Sequence, residues 1–91
     1  MDEKQLRSLI EHGGVKQLHI IADGSLFHVN VNTTNKGTVV TALTTTGAIK
    51  TWATLDSAAK WVRSLGIGKI QLDITHWQSQ QRRLSFGSLQ K

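Results

Sequence analysis

The sequence predicts an α+β domain, a two-layer sandwich in which an antiparallel sheet of about five strands packs on two helices that share one face. Three observations lead to this prediction. Two segments carry apolar residues at helical spacing behind capping residues, several short runs alternate between apolar and polar residues, and Asp, Asn, Thr and Gly turn residues separate those runs. The predicted order of elements is α-β-β-β-β-α-β. Successive short connections favour hairpins, so we expect the sheet to be antiparallel.

The first helix is predicted to begin after Asp2, because Gln5 three residues later completes a capping-box pattern. Gly13-Gly14 is predicted to end it. The apolar residues between these signals share one helical face: Leu6, Leu9 and Ile10.

Asp23-Gly24 lies between two β-rich runs and predicts a hairpin with these two residues at its centre. Counting outward from that turn pairs Ile20 with Phe27 and places His19 directly opposite His28. The predicted core face of the hairpin consists of Leu18, Ile20, Phe27, Val29 and Val31.

The turn at Asn35-Lys36-Gly37 is followed by the strand TVVTALTT, and a second turn at Thr46-Gly47 is followed by the strand AIKTWA. Thr54 is predicted to cap a second helix, which Gly66 ends. The last predicted strand is KIQLDI, with Ile70, Leu72 and Ile74 on one face. The second helix is predicted to carry an apolar stripe made of Leu55, Ala58, Ala59, Val62 and Leu65.

The chain has 91 residues and a formal net charge of +5, with 11 Lys and Arg against 6 Asp and Glu. This length suits one domain, predicted over residues 1–75, with a polar and basic tail over residues 76–91. The absence of cysteine excludes disulfides and thiolate chemistry, and the N-terminal residues have no apolar signal core. We therefore expect a cytoplasmic protein. Its basic surplus favours a polyanionic partner such as DNA.

No pattern of residues indicates catalysis, because no serine has a nucleophile-elbow environment and no glycine-rich loop leads into a helix. We expect a protein that is not an enzyme and needs no cofactor. The predicted His19–His28 pair leaves open a metal-linked oligomer. The predicted neighbours Gln17 and Asn30 are poor metal ligands, which favours instead two polar side chains on a wet sheet face. Residual apolar groups on the uncovered sheet face and an unpaired edge strand favour a homodimer.

The candidate DNA contacts are cationic side chains, whose main predicted role is to contact phosphate. Arg82-Arg83, flanked by glutamines in the tail, leads this set. Trp52, which shares a strand face with Lys50, is a candidate for stacking on a base or anchoring a protein, or else it closes the sheet edge. The full set of candidate contacts is Arg82, Arg83, Lys69, Lys60, Arg63 and Lys50.

Two long stretches, MDEKQLRSLIEHGGVKQLHII and TLDSAAKWVRSLGIGKIQLDITHWQ, resemble small plasmid-encoded partition- or replication-associated proteins, the ParC-like group. The resemblance covers residues 1–78. Its features are the N-terminal opening, a helix with two alanines, a Lys and an aromatic residue that ends in Leu-Gly-Ile, and a closing Asp73-x-x-x-Trp77. It implies a role in plasmid maintenance or replication, as an accessory protein bound to DNA or to a partition partner. The alternative function is a protein-interaction module that does not bind nucleic acid.

Overall fold

The computed structural model describes residues 1–35 and 37–78. These residues form two helices and one four-stranded sheet, in which the strand order is β3-β2-β1-β4. The elements, in chain order, are α1 (Glu3–Glu11), β1 (Val15–Gly24), β2 (Leu26–Thr33), β3 (Val39–Thr41), α2 (Leu55–Ser64) and β4 (Gln71–Trp77). The α+β class and the two helices are as the sequence predicts. The number and direction of the strands are not.

Helix α1 begins at the predicted capping box. The backbone N–H of Gln5 donates to the Asp2 carboxylate at 2.8 Å, and the Asp2 N–H donates to the Gln5 side chain at 3.0 Å. These two bonds satisfy donors that a helix start otherwise leaves unpaired. The Leu6 side chain on this helix is fully buried against the sheet.

The hairpin of β1 and β2 forms, but its register differs from the prediction. The central turn residues are Gly24 and Ser25, so that Asp23 pairs with Leu26 and Ile20 with Val29. The first central position of both favoured hairpin turns requires a positive φ, and Gly24 supplies it at +66°. The predicted turn would have forced that conformation on Asp23, which is the physical reason for the shift.

The shift separates the two histidines that we expected to face each other. His19 lies opposite Asn30, and His28 lies opposite Ile21. The predicted core face nevertheless survives, because moving the turn by one residue changes the pairing but not the parity of the side chains. All five predicted core residues are buried: Leu18, Ile20, Phe27, Val29 and Val31.

The predicted fourth strand, AIKTWA, is absent from the described residues. Only single bridges form there, between Leu43 and Ile49 and between Phe27 and Trp52. The segment changes partner within three residues, so no ladder of useful length develops. The strand before it is also short and contains only Val39–Thr41. The sheet therefore has four strands instead of about five.

Helix α2 begins behind Thr54, whose side chain accepts from the Ser57 N–H at 3.1 Å, and ends before Gly66, whose φ is +92°. The chain then enters β4, which pairs with β1 in parallel. The prediction of a wholly antiparallel sheet was thus wrong. Hairpin reasoning does not apply to a strand that follows a helix, because the helical crossover returns the chain to the end of the sheet where β1 begins.

Both helices pack on one side of the sheet, which we call the helix side. Leu6 of α1 and Ala58 and Val62 of α2 belong to the same buried cluster as the inward residues of β1 and β2. Of the predicted α2 stripe, Leu55 remains 38% exposed. The opposite side, which we call the open face, has neither helix on it. No helix among the described residues is long and apolar enough to cross a membrane.

Candidate nucleic-acid interface and apolar edge

The predicted DNA contacts lie on several different elements. Lys50 belongs to the loop before α2, Lys60 and Arg63 lie one turn apart on α2, and Lys69 lies just before β4. Arg82 and Arg83 lie outside the described residues. The structure therefore brings Lys60 and Arg63 together as neighbours, while Lys50 and Lys69 occupy other parts of the fold.

These cations differ in whether a carboxylate lies within ion-pair distance. Lys60 Nζ lies 3.1 Å from the Asp56 carboxylate on the same helix, and both side chains are largely exposed. Lys69 shares a shallow depression with Lys16 at the end of the sheet where β1 begins. Among the described residues, only Arg7 and Lys60 have a carboxylate within 4 Å. Arg63 and Lys69 are therefore better placed than Lys60 to attract an added anion.

The charge of the chain is unevenly distributed between the described fold and the C-terminal segment. Four of the eleven Lys and Arg residues (Lys36, Arg82, Arg83 and Lys91) lie outside the described residues, which leaves seven against all six Asp and Glu. Residues 79–91 contain three of these four cations and no acid. The described fold is thus close to neutral, and most of the basic surplus belongs to the segment that follows it.

Trp52 packs against helix α2. Its ring packs on Trp61 of α2, with ring centroids 5.0 Å apart and planes tilted by 44°. The Lys50 ammonium lies 5.5 Å from the Trp52 centroid and 5.8 Å from the Trp61 centroid, within the range of a cation–π contact. The alternative in which Trp52 closes the sheet edge describes this arrangement better than base stacking does.

Glu3 connects this aromatic pair to α1. Its carboxylate accepts a hydrogen bond from Trp61 Nε1 at 3.0 Å. It also forms an ion pair with Arg7, whose Nε lies 3.0 Å from Oε2. The Trp61 bond, followed by the Arg7 bond, lowers the pKa of Glu3 below its ordinary value. No local sequence pattern predicts this link, because Glu3 and Trp61 are 58 positions apart and belong to separate helices.

Strand β4 contains a bulge that reverses the side-chain alternation. Asp73 lies opposite Ile21 and His76 lies opposite Asp23, so two residues of β4, Ile74 and Thr75, stand across from one residue of β1. The extra residue returns Trp77 to the helix side, where its ring lies 6.4 Å from the Phe27 ring. The predicted domain boundary lies at residue 75, and strand β4 continues two residues beyond it.

The bulge is accompanied by a local hydrogen bond. The Thr75 N–H donates to the Asp73 carboxylate at 2.9 Å. The Thr75 hydroxyl and, next, this N–H lower the pKa of Asp73. The bond holds the Asp73 carboxylate against the backbone at the bulge.

The helix side of β4 is uncovered. Leu72 is 45%, Ile74 51% and Trp77 46% exposed, whereas the inward residues of β1 and β2 are buried. We call these three residues the apolar strip. The alternation of KIQLDI placed Leu72 and Ile74 on one strand face, but it did not reveal the strip, because alternation shows which side a residue faces and not whether a helix covers that side.

The open face carries His19 and His28 among amide side chains. The Thr41 hydroxyl donates to the Asn30 side chain at 3.0 Å, and the Nε2 atom of His19 is buried without a hydrogen-bond partner among the described residues. No group of three or more metal-ligating side chains occurs in residues 1–35 and 37–78. With the two histidines out of direct opposition, the alternative of a metal-linked oligomer loses the geometry on which it was based.

The fold and these surfaces define a small two-layer α+β domain with a mixed sheet, an aromatic pair that links its helices and an uncovered apolar edge. Comparisons of the chain with known protein families, with curated proteins and with solved structures find no match.

Proposed function

We propose that the protein is a non-enzymatic DNA-binding protein of plasmid maintenance, and that it contacts the phosphate backbone mainly through Arg82 and Arg83. The observation that carries this proposal is the charge distribution. The described fold holds seven cations and six acids, whereas residues 79–91 hold three cations and no acid. A short basic segment joined to a nearly neutral domain suits phosphate contact without a catalytic centre. The plasmid setting is what the resemblance to the ParC-like group implies.

The other four candidate contacts should contribute unequally to DNA binding, according to the carboxylates and indole rings beside them. Arg63 and Lys69 have no carboxylate within 4 Å among the described residues, so we expect them to assist the tail. Lys60 is partly offset by Asp56, and Lys50 is engaged with two indole rings. Each of these last two should contribute less than Arg63 or Lys69.

The test is a titration of labelled duplex DNA at several salt concentrations, with the intact chain and with the Arg82→Ala/Arg83→Ala variant. Loss of two phosphate contacts should lower the slope of log affinity against log salt by about 1.8. The Gln80→Ala/Gln81→Ala variant is the matched control and should keep the slope. Equal slopes in all three proteins would remove the tail from the mechanism.

A homodimer is part of this proposal, because two tails on one assembly would double the charge presented to a duplex. Support comes from the open face, where no helix of the described fold lies, and from Leu26 and Val39, which are 45% and 54% exposed. Sedimentation at increasing concentration tests it, and a strict monomer throughout would remove this part. The alternative, a protein-interaction module without nucleic-acid contact, predicts no DNA binding even at low salt.

A further inference from the structure

The apolar strip lacks a cover among the described residues. Leu72, Ile74 and Trp77 lie on the helix side of the sheet, yet α1 and α2 pack over β1 and β2. Strand β4 is also the last strand in the order β3-β2-β1-β4, so its outer edge has no strand beside it in this part of the chain. Apolar groups next to a free strand edge favour the addition of another strand.

The chain itself supplies a segment with matching chemistry. Residues 84–89 read LSFGSL, in which Leu84 and Phe86 have the two-residue spacing of one strand face. Six polar residues, QSQQRR, separate this segment from Trp77. The stretch from Leu72 to Trp77 also has six residues, so both stretches would extend roughly 20 Å as strands.

The point where the chain leaves the fold favours a return along β4. The Gln78 N–H donates to the Gly24 carbonyl at 2.7 Å, so the backbone is still held beside β1 when it enters residues 79–91. A tethered segment of this length has an effective concentration in the millimolar range at its own strand. A second copy at micromolar concentration competes with it at a disadvantage.

We propose that residues 84–89 lie antiparallel along the outer edge of β4, with Leu84 and Phe86 over the apolar strip. Their side chains would remove the exposed faces of Ile74 and Trp77 from water. The occupant is a segment of the same chain, and docking does not depend on DNA.

This docking has one consequence that rests on the proposed function. Arg82 and Arg83 fall in the connection between the two strands, at the end of the sheet that carries Gly24. A polar depression lined by Asp23, Thr75 and His76 lies at the same end. The two guanidinium groups would then be presented on a short loop, which restricts their motion and lowers the entropy cost of binding phosphate.

Disulfide trapping tests the docking directly, because the natural chain contains no cysteine. The trapping variant is Ile74→Cys/Phe86→Cys in the full chain. The control is Leu26→Cys/Phe86→Cys. Leu26 is similarly exposed, but it lies on β2, which β1 separates from β4. We expect the trapping pair to form a disulfide within one chain about tenfold faster than the control.

Each outcome of the disulfide test supports or overturns docking of residues 84–89 on β4. A fast disulfide within one chain supports docking, whereas disulfides between chains, rising with concentration, would assign the strip to a second copy and overturn it. Equal rates in the two variants would also overturn it.

A second measurement uses NMR shifts of the Leu72, Ile74 and Trp77 amides in Leu84→Ser/Phe86→Ser, with Ser85→Ala/Ser88→Ala as control. Docking predicts changes in the first variant alone. The DNA titration stays separate, so either proposal can fail without the other.

Discussion

Trp61 Nε1 donates a 3.0 Å hydrogen bond to the Glu3 carboxylate and thereby joins the two helices that cover the sheet. The bond lowers the pKa of Glu3, so it stabilises the fold while the carboxylate is ionised. That stabilisation is present above the ordinary pKa of 4.5 and is lost as the pH falls through the lower pKa of the folded state.

The Glu3→Gln variant should therefore be less stable than the natural chain at pH 7, and the difference should shrink as the pH drops below 4.5. We expect a difference of about 1 kcal/mol or less, because the Glu3 side chain is 44% exposed and water screens its charge. Urea unfolding at pH 3 to 7 measures it. In a Trp61→Phe background the effect of Glu3→Gln should be smaller, and an unchanged effect would contradict the link.

Replacement of Leu6 by Ala should destabilise the domain by about 2–5 kcal/mol, because the side chain is fully buried between α1 and the sheet. Thermal or urea unfolding gives the value. Leu55→Ala is the matched control, since Leu55 is 38% exposed in the first turn of α2 and should cost much less. Similar losses for the two variants would contradict the assignment of Leu6 to the core.

Gly24→Ala should destabilise the domain by about 1 kcal/mol, because Gly24 has a φ of +66° that other residues adopt at a cost. A Cβ at this position meets no atom within 4 Å, so the cost is conformational and not steric. Gly68→Ala is the control, because it has equally open surroundings without a positive φ. If both variants unfold at the same urea concentration, Gly24 is not the residue that the turn requires.

The pKa of Asp73 should lie below 3.8 in an NMR titration of its carboxyl carbon, because Thr75 hydrogen-bonds the ionised form. In Thr75→Ala the hydroxyl is lost and the backbone N–H remains. The pKa of Asp73 should then rise toward 3.8 without reaching it. A pKa that does not respond to this substitution would show that Thr75 does not hold the carboxylate at the bulge.

The helices were predictable because their start and stop signals are local. The capping residues Asp2 and Thr54 and the terminal Gly66 act within one turn of their own positions, so neighbouring residues suffice to place them. The core face of the hairpin was predictable for a similar reason, since alternation alone sets which side Ile20 and Val29 face.

Other features depend on contacts between distant parts of the chain. The position of β4 beside β1 follows from where the crossover through α2 returns the chain, which no residue near Gln71 encodes. The packing of Trp52 on Trp61 favours the alternative in which Trp52 closes the sheet edge over the one in which it stacks on a base. Of the candidate DNA contacts, Arg82 and Arg83 lie outside the described residues, and the other four remain predictions. The amino-acid sequence shows that these side chains are charged, but it does not show which carboxylate or aromatic ring each of them contacts in the fold.

The bulge in β4 gives the strand a spare residue. Because Ile74 and Thr75 share the single place opposite Ala22, a chain shortened by one residue there would still carry the Trp77 indole to Phe27. A chain lengthened by one would also restore plain alternation, but it would carry the indole two residues past the position opposite Gly24 and away from Phe27. This is the point in the strand where evolution could change length in one direction and not the other.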